Sequence, residues 1–161
     1  MNFINERIVD EVWQNHIQKS FFDIEKKIAE LNKKEPVLAN YLMTINSEIY
    51  NFEEKQLLLY LAVAVWECML QGDKSIPKVT DQDLNKANDN NIKLISYLED
   101  QLDHNFQEAV EKVFSEYHQR YVLDLIRKVV FSTDDERTQI RSKNKGLILF
   151  DLKTFLDCLD K

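Results

Sequence analysis

Glycine and proline each occur only twice in 161 residues, against usual shares of about 7% and 5%. Sheets joined by hairpins need Gly, Asn-Gly or Pro turns at short intervals. Their scarcity predicts a chain of helices with few connections. The predicted fold is all-α, a single-domain irregular bundle of about six or seven helices over residues 1–161. Residues 53–71 form its central buried helix, and the loop at 72–80, "GDKSIPKVT", is the one weak candidate for a boundary. A chain of this length buries roughly 70% of the surface it exposes when unfolded. Nine Phe, six Tyr and two Trp supply the centre.

Apolar residues at helical spacing place the elements. Ile4, Ile8, Val12 and Trp13 lead to Ile17, Phe21, Ile24, Ile28 and Leu31, but the two halves are out of register, which predicts a bent or split helix over 3–33. Pro36 suits the first turn of a second helix, striped by Leu38, Leu42, Ile45 and Ile49 and running to Tyr50. Asn51 with Glu54 is an N-cap pair for the third, and Gly72 stands where a left-handed residue would close it. Thr80 and Asp83 open the fourth, whose buried face is Leu84, Ala87, Ile92, Ile95, Leu98 and Leu102. A break at "DHN", 103–105, precedes a fifth helix from Phe106 to Phe131. "TDDE" at 133–136 is a capping box for a short polar helix. "RSKNKG" interrupts, and "LILFDLKTFLDCL" closes the chain as an apolar helix.

The third helix, "KQLLLYLAVAVWECMLQG", runs uncharged for ten residues from Leu57 to Trp66 before Glu67 interrupts. Crossing a bilayer takes about twenty, so a membrane span is excluded. On a helical wheel Glu53, Gln56, Tyr60, Ala64, Glu67 and Gln71 share one narrow seam, and the rest of the girth is apolar. Such a helix must be surrounded on several sides. Tyr60 and Glu67 either reach solvent or bond internally, or they line a groove between helices with Glu67 as its polar contact.

The net charge of −7 is unevenly spread: residues 81–111 carry eight acidic and two basic side chains. An acidic surface repels phosphate backbones, which excludes direct nucleic-acid binding, and attracts basic proteins. Cys68 and Cys158 lie in no metal or redox spacing and read as reduced core thiols. The start, "MNFINERIVDE", has charges no signal-peptide core tolerates, so a cytoplasmic location is expected.

Catalytic chemistry is hard to assemble from this sequence. No Glu-x-x-His occurs at His16, His104 or His118, as a di-metal bundle would require. Asp100, His104 and Glu108 form an i, i+4, i+8 row only if the helix is continuous there. Gly72 and Gly146 each stand alone, so no phosphate-cradling loop exists. In "EYHQRY", Glu116 and Arg120 are spaced for an ion pair and His118 points outward. "ERTQIRSKNK", 136–145, is basic but has no aromatic residue for base stacking, and reads as a solvated connection. No metal, cofactor or catalytic residue is therefore assigned.

The functional expectation is a non-catalytic protein-binding protein, specifically an acidic inhibitor or immunity-type protein that occludes a basic target such as a bacterial nuclease toxin. Asp89, Glu99, Asp100, Asp103 and Glu108 are the expected partner-binding carboxylates. The alternatives are a helical adaptor, chaperone or structural subunit, and an enzyme whose site converges only in three dimensions.

Overall fold

A computed structural model describes residues 1–132 and 139–161, with the side chains of Asp103 and His104 outside the description. Among the described residues there are eight helices and no strand: α1 Glu6–His16, α2 Phe21–Lys34, α3 Pro36–Thr44, α4 Phe52–Gly72, α5 Asp81–Glu99, α6 Asp103–Glu116, α7 Arg120–Ser132 and α8 Ser142–Leu159. The count exceeds the six or seven expected, because two predicted segments are each split. No helix among the described residues is long and apolar enough to cross a membrane.

Caps set the starts. Asn5 and Ser20 accept from the amides of Ile8 and Asp23, so the register break in the first segment separates α1 from α2. Asn51 and Glu54 exchange both capping-box bonds at α4, and Thr80 and Asp83 do so at α5. Pro36 occupies the first turn of α3, where its missing amide costs nothing. The box expected at Thr133–Glu136 lies outside the described residues.

Four boundaries differ from expectation, the first two for a tertiary reason. The second helix stops at Thr44 rather than Tyr50, because Asn46 adopts a left-handed φ of 51°. The resulting turn brings the Asn46 amide (2.9 Å) and the Tyr50 hydroxyl (2.5 Å) onto the buried Asp151 carboxylate. The helix expected over 106–131 breaks at Tyr117–Gln119. Gln119 is fully buried there; its side chain accepts from the amide of Ile4 and donates to the Asn2 carbonyl and the Asp160 carboxylate, tying both chain ends together. The break expected at 103–105 falls at Asp100–Leu102, with Leu102 extended ahead of α6. The last helix starts at Ser142 rather than after Gly146. Gly72 ends α4 without a left-handed φ; a Cβ there would sit 2.6 Å from Ile4 Cδ1, so glycine serves close packing.

One continuous core runs from Ile4 to Leu159. Residues Leu61 to Trp66 of α4 are all buried, as expected of a central helix. It shares the centre with α8, which packs on α4, α5 and α7 while α4 also receives α1 and α2. The α8 helix is buried almost all round, its polar Asn144, Lys145, Asp151, Lys153 and Thr154 included.

Candidate binding groove and acidic face

The apolar stripe of α2 is only half used by the core. Ile24 and Leu31 are buried, but Phe21 at the head of the helix is 70% exposed. Pro36 starts α3 immediately after α2, and the buried Glu35 carboxylate between them accepts from the Val79 amide at 2.9 Å. This tight corner turns α3 away from α2 and leaves a cleft bounded by α2, α3 and the first half of α4. The cleft encloses about 840 Å³. Its α3 wall is Ala39, Leu42 and Met43, with Met43 63% exposed at the rim. Its α4 wall is Glu53, Gln56, Leu57 and Tyr60, the first half of the polar seam read from the sequence. Lys19 and Ile140 also line it.

The seam therefore divides. Glu53, Gln56 and Tyr60 face the groove, Ala64 is buried, and Glu67 turns towards α1. There Lys19 Nζ donates to Glu67 Oε2 at 2.9 Å, and His16 Nδ1 lies 3.9 Å from the same oxygen. Glu67 is thus an internal partner and not the groove's polar contact. His16, which the sequence offered only as a metal ligand lacking its Glu-x-x-His partner, is fully buried and donates from Nε2 to the Tyr60 carbonyl at 2.9 Å. Its ring centroid lies 4.3 Å from that of Tyr60, the planes tilted by 46°, with Trp13 alongside. Carbonyl bonding fixes the Nε2–H tautomer, and His16 Nδ1 and Glu67 Oε1 have no hydrogen-bond partner among the described residues.

Burial pushes the His16 imidazole below its ordinary 6.5, against the opposing pull of the Tyr60 carbonyl and Glu67. The histidine thus folds neutral. Its contribution is fully present above the unfolded value and is lost as pH falls through the lowered folded one. We expect the stability of the parent chain to decline on acidification below pH 6.5, and His16→Gln to flatten that part of the profile in urea titrations at stepped pH.

The expected partner-binding carboxylates come to α5 and α6. Asp89, Glu99, Asp100 and Glu108 are all exposed, and none is ion-paired among the described residues. Asp103 starts α6, and its side chain lies outside the description. Two other acids of the segment are neutralised within the fold, Asp83 by Lys161 at 2.6 Å and Glu111 by Arg127 at 3.1 Å. Tyr97, Leu102 and Phe106 are exposed in the same stretch of chain, Leu102 by 65%. The sequence reading placed Leu102 on a buried face; the end of α5 just before it turns it outward.

Other polar groups are absorbed by the fold. His118 is not simply solvated, since Nδ1 donates to Asp160 at 2.9 Å. Arg120 does not pair with Glu116, because the helix breaks between them; its guanidinium lies 4.7 Å over the Phe3 ring. Residues 136–138 of the basic connection lie outside the described residues; in the rest, Arg141 and Asn144 bind Glu54 and Lys145 is buried, so that part is no solvated linker. Buried Asn91 donates to Thr154 and Asp157 and accepts from Lys153, while Tyr117 donates to Asp157, which locks α5 and the 117–119 corner onto α8. The Asp100–His104–Glu108 row is broken between α5 and α6, and no metal-holding cluster occurs among the described residues. Burial pushes both free thiols, Cys68 and Cys158, up to about 12, where they are protonated and unreactive at neutral pH.

No protein family, curated protein or solved structure matches the chain.

Proposed function

We propose that this chain is a non-catalytic protein-binding protein that docks a basic partner against its α5–α6 face, as an inhibitor or immunity-type protein occluding a basic target such as a nuclease would. The observation that carries the reading is the set of four exposed carboxylates without ion partners among the described residues, Asp89, Glu99, Asp100 and Glu108, in the same stretch of chain as exposed Tyr97, Leu102 and Phe106. Carboxylates in water steer encounter and repel wrong partners, and the apolar side chains supply burial once contact is made.

Affinity capture with the tagged chain at low salt is expected to retain a basic protein that elutes as salt rises. Against that protein, the double variant Asp100→Lys, Glu108→Lys is expected to slow association at least tenfold at low salt and to weaken its salt dependence. Retention of nothing at low salt, or an unchanged association rate, sinks the reading.

A second reading, a helical adaptor or chaperone without inhibitory role, draws on a different feature: the open apolar groove between α2, α3 and α4.

A further inference from the structure

We propose that the α2–α3–α4 groove is a docking site for an amphipathic helix of a partner protein, with Lys or Arg flanking its apolar face. The inference is independent of the α5–α6 reading and uses none of its residues.

The shape comes first. The α2 wall runs from Phe21 to Asn32, roughly 16 Å at the helical rise. That matches about three turns of a partner helix, enough for anchors at i, i+3 or i+4, and i+7. The floor is apolar, with Ile24, Leu31, Leu42 and Leu57, and the rim carries exposed Phe21 and Met43. Methionine and phenylalanine on a rim repack readily around inserted side chains. All three walls are helices whose backbone bonds are satisfied within them, so an extended peptide finds no sheet edge to extend. Side-chain insertion is the available mode, and a helix presents its anchors on one face.

Charge selects the occupant. Glu25 and Glu53 line the groove, and neither carboxylate makes an ion pair or hydrogen bond among the described residues. Lys19, the one cation of the lining among the described residues, is held by Glu67 at 2.9 Å. A fatty acid or other anionic amphiphile would bring its head group to two carboxylates and a cation already engaged. A helix with basic flanks meets complementary charge at both acids, while Asn32 and Gln56 remain for its polar edge.

The test uses a display library of random peptides panned against the whole chain, with bound clones then measured as fluorescent synthetic peptides. Enriched peptides are expected to share apolar residues at helical spacing and flanking Lys or Arg, and to become helical by circular dichroism on binding. Ala29→Trp, at an exposed α2 position inside the groove, fills the space without touching the core; it is expected to weaken binding at least tenfold. Glu25→Lys with Glu53→Lys is expected to weaken it similarly and to relax the preference for basic flanks. Asp100→Lys with Glu108→Lys is expected to leave it unchanged. A fluorescent long-chain fatty acid serves as the competing ligand. The proposal is overturned if no peptide is enriched, if enriched peptides lack helical spacing or basic flanks, or if Ala29→Trp leaves their binding intact. It is overturned equally if the fatty acid binds the parent chain, is excluded by Ala29→Trp, and outcompetes every peptide.

Discussion

Replacing Glu54 with alanine is expected to cost the folded chain about 3 kcal/mol, because its carboxylate is fully buried and several donors converge on it. Its oxygens accept from the Asn51 amide, the Arg141 amide and guanidinium (2.6 Å at the shortest) and the Asn144 side chain. It therefore closes the cap of α4 and fastens the start of α8 to it. Arg141 also donates to the Ile49 carbonyl at 2.7 Å, so the turn before α4 is held by the same group. Burial alone would raise this carboxyl, but the bonds from Arg141, Asn51 and Asn144 outweigh it and hold it down at about 2, against an ordinary 4.5. The sign follows from that depression. The stabilisation is fully present above pH 4.5 and is lost as pH falls through about 2, and a gap of this size corresponds to about 3 kcal/mol. Urea titrations of the parent chain and Glu54→Gln should differ most at neutral pH and converge below pH 2. Curves that stay parallel across this range would show that Glu54 contributes no ionised interaction.

Phe155→Ala is the other large effect, expected at about 3–5 kcal/mol. Phe155 is fully buried on α8, with Leu152, Leu156 and Leu159 of the same helix also without exposure. Because α8 packs on α4, α5 and α7 at once, a cavity there cannot close by moving one neighbour without disturbing two others. The contrast is Phe131→Ala on α7, where the ring is 53% exposed and the cost should stay within about 0.5 kcal/mol. Denaturant midpoints measured side by side test both. Equal losses at the two positions would mean that α8 is not a shared centre.

Several titratable side chains are buried or bonded within the fold. The buried thiols are protonated, His16 is held neutral against Tyr60, and His118 is bonded to Asp160. Among the described residues, exposed carboxylates without ion pairs include Asp89, Glu99, Asp100 and Glu108 around α5 and α6, with exposed Lys86, Lys93 and Lys112 on the same helices, and Glu25 and Glu53 line the apolar cleft. The two proposed contacts can be separated by mutation: one is expected to be tuned by salt at Asp100 and Glu108, the other blocked by bulk at Ala29.

By itself, the sequence determined whatever depends on neighbours a few residues apart. The scarcity of Gly and Pro dictated helices, side-chain caps at Asn51 and Thr80 marked two starts, and the apolar girth of 57–66 demanded a surrounded helix. The exposure of Asp89, Glu99, Asp100 and Glu108 also followed, since ionised carboxylates are rarely buried without a partner. Tertiary structure decided what depends on partners distant in the chain. The ends of α3 and α6 carry no glycine or proline signal; they are set by Asp151 gathering Asn46 and Tyr50, and by Gln119 joining the two termini. The basic stretch around Arg141 became a clasp only because Glu54, 87 residues earlier, is buried where it can reach. The groove is likewise illegible in periodicity. The α2 stripe reads as core from end to end, and only the corner at Glu35–Pro36 leaves Phe21 and Met43 unpartnered at the rim of a cleft.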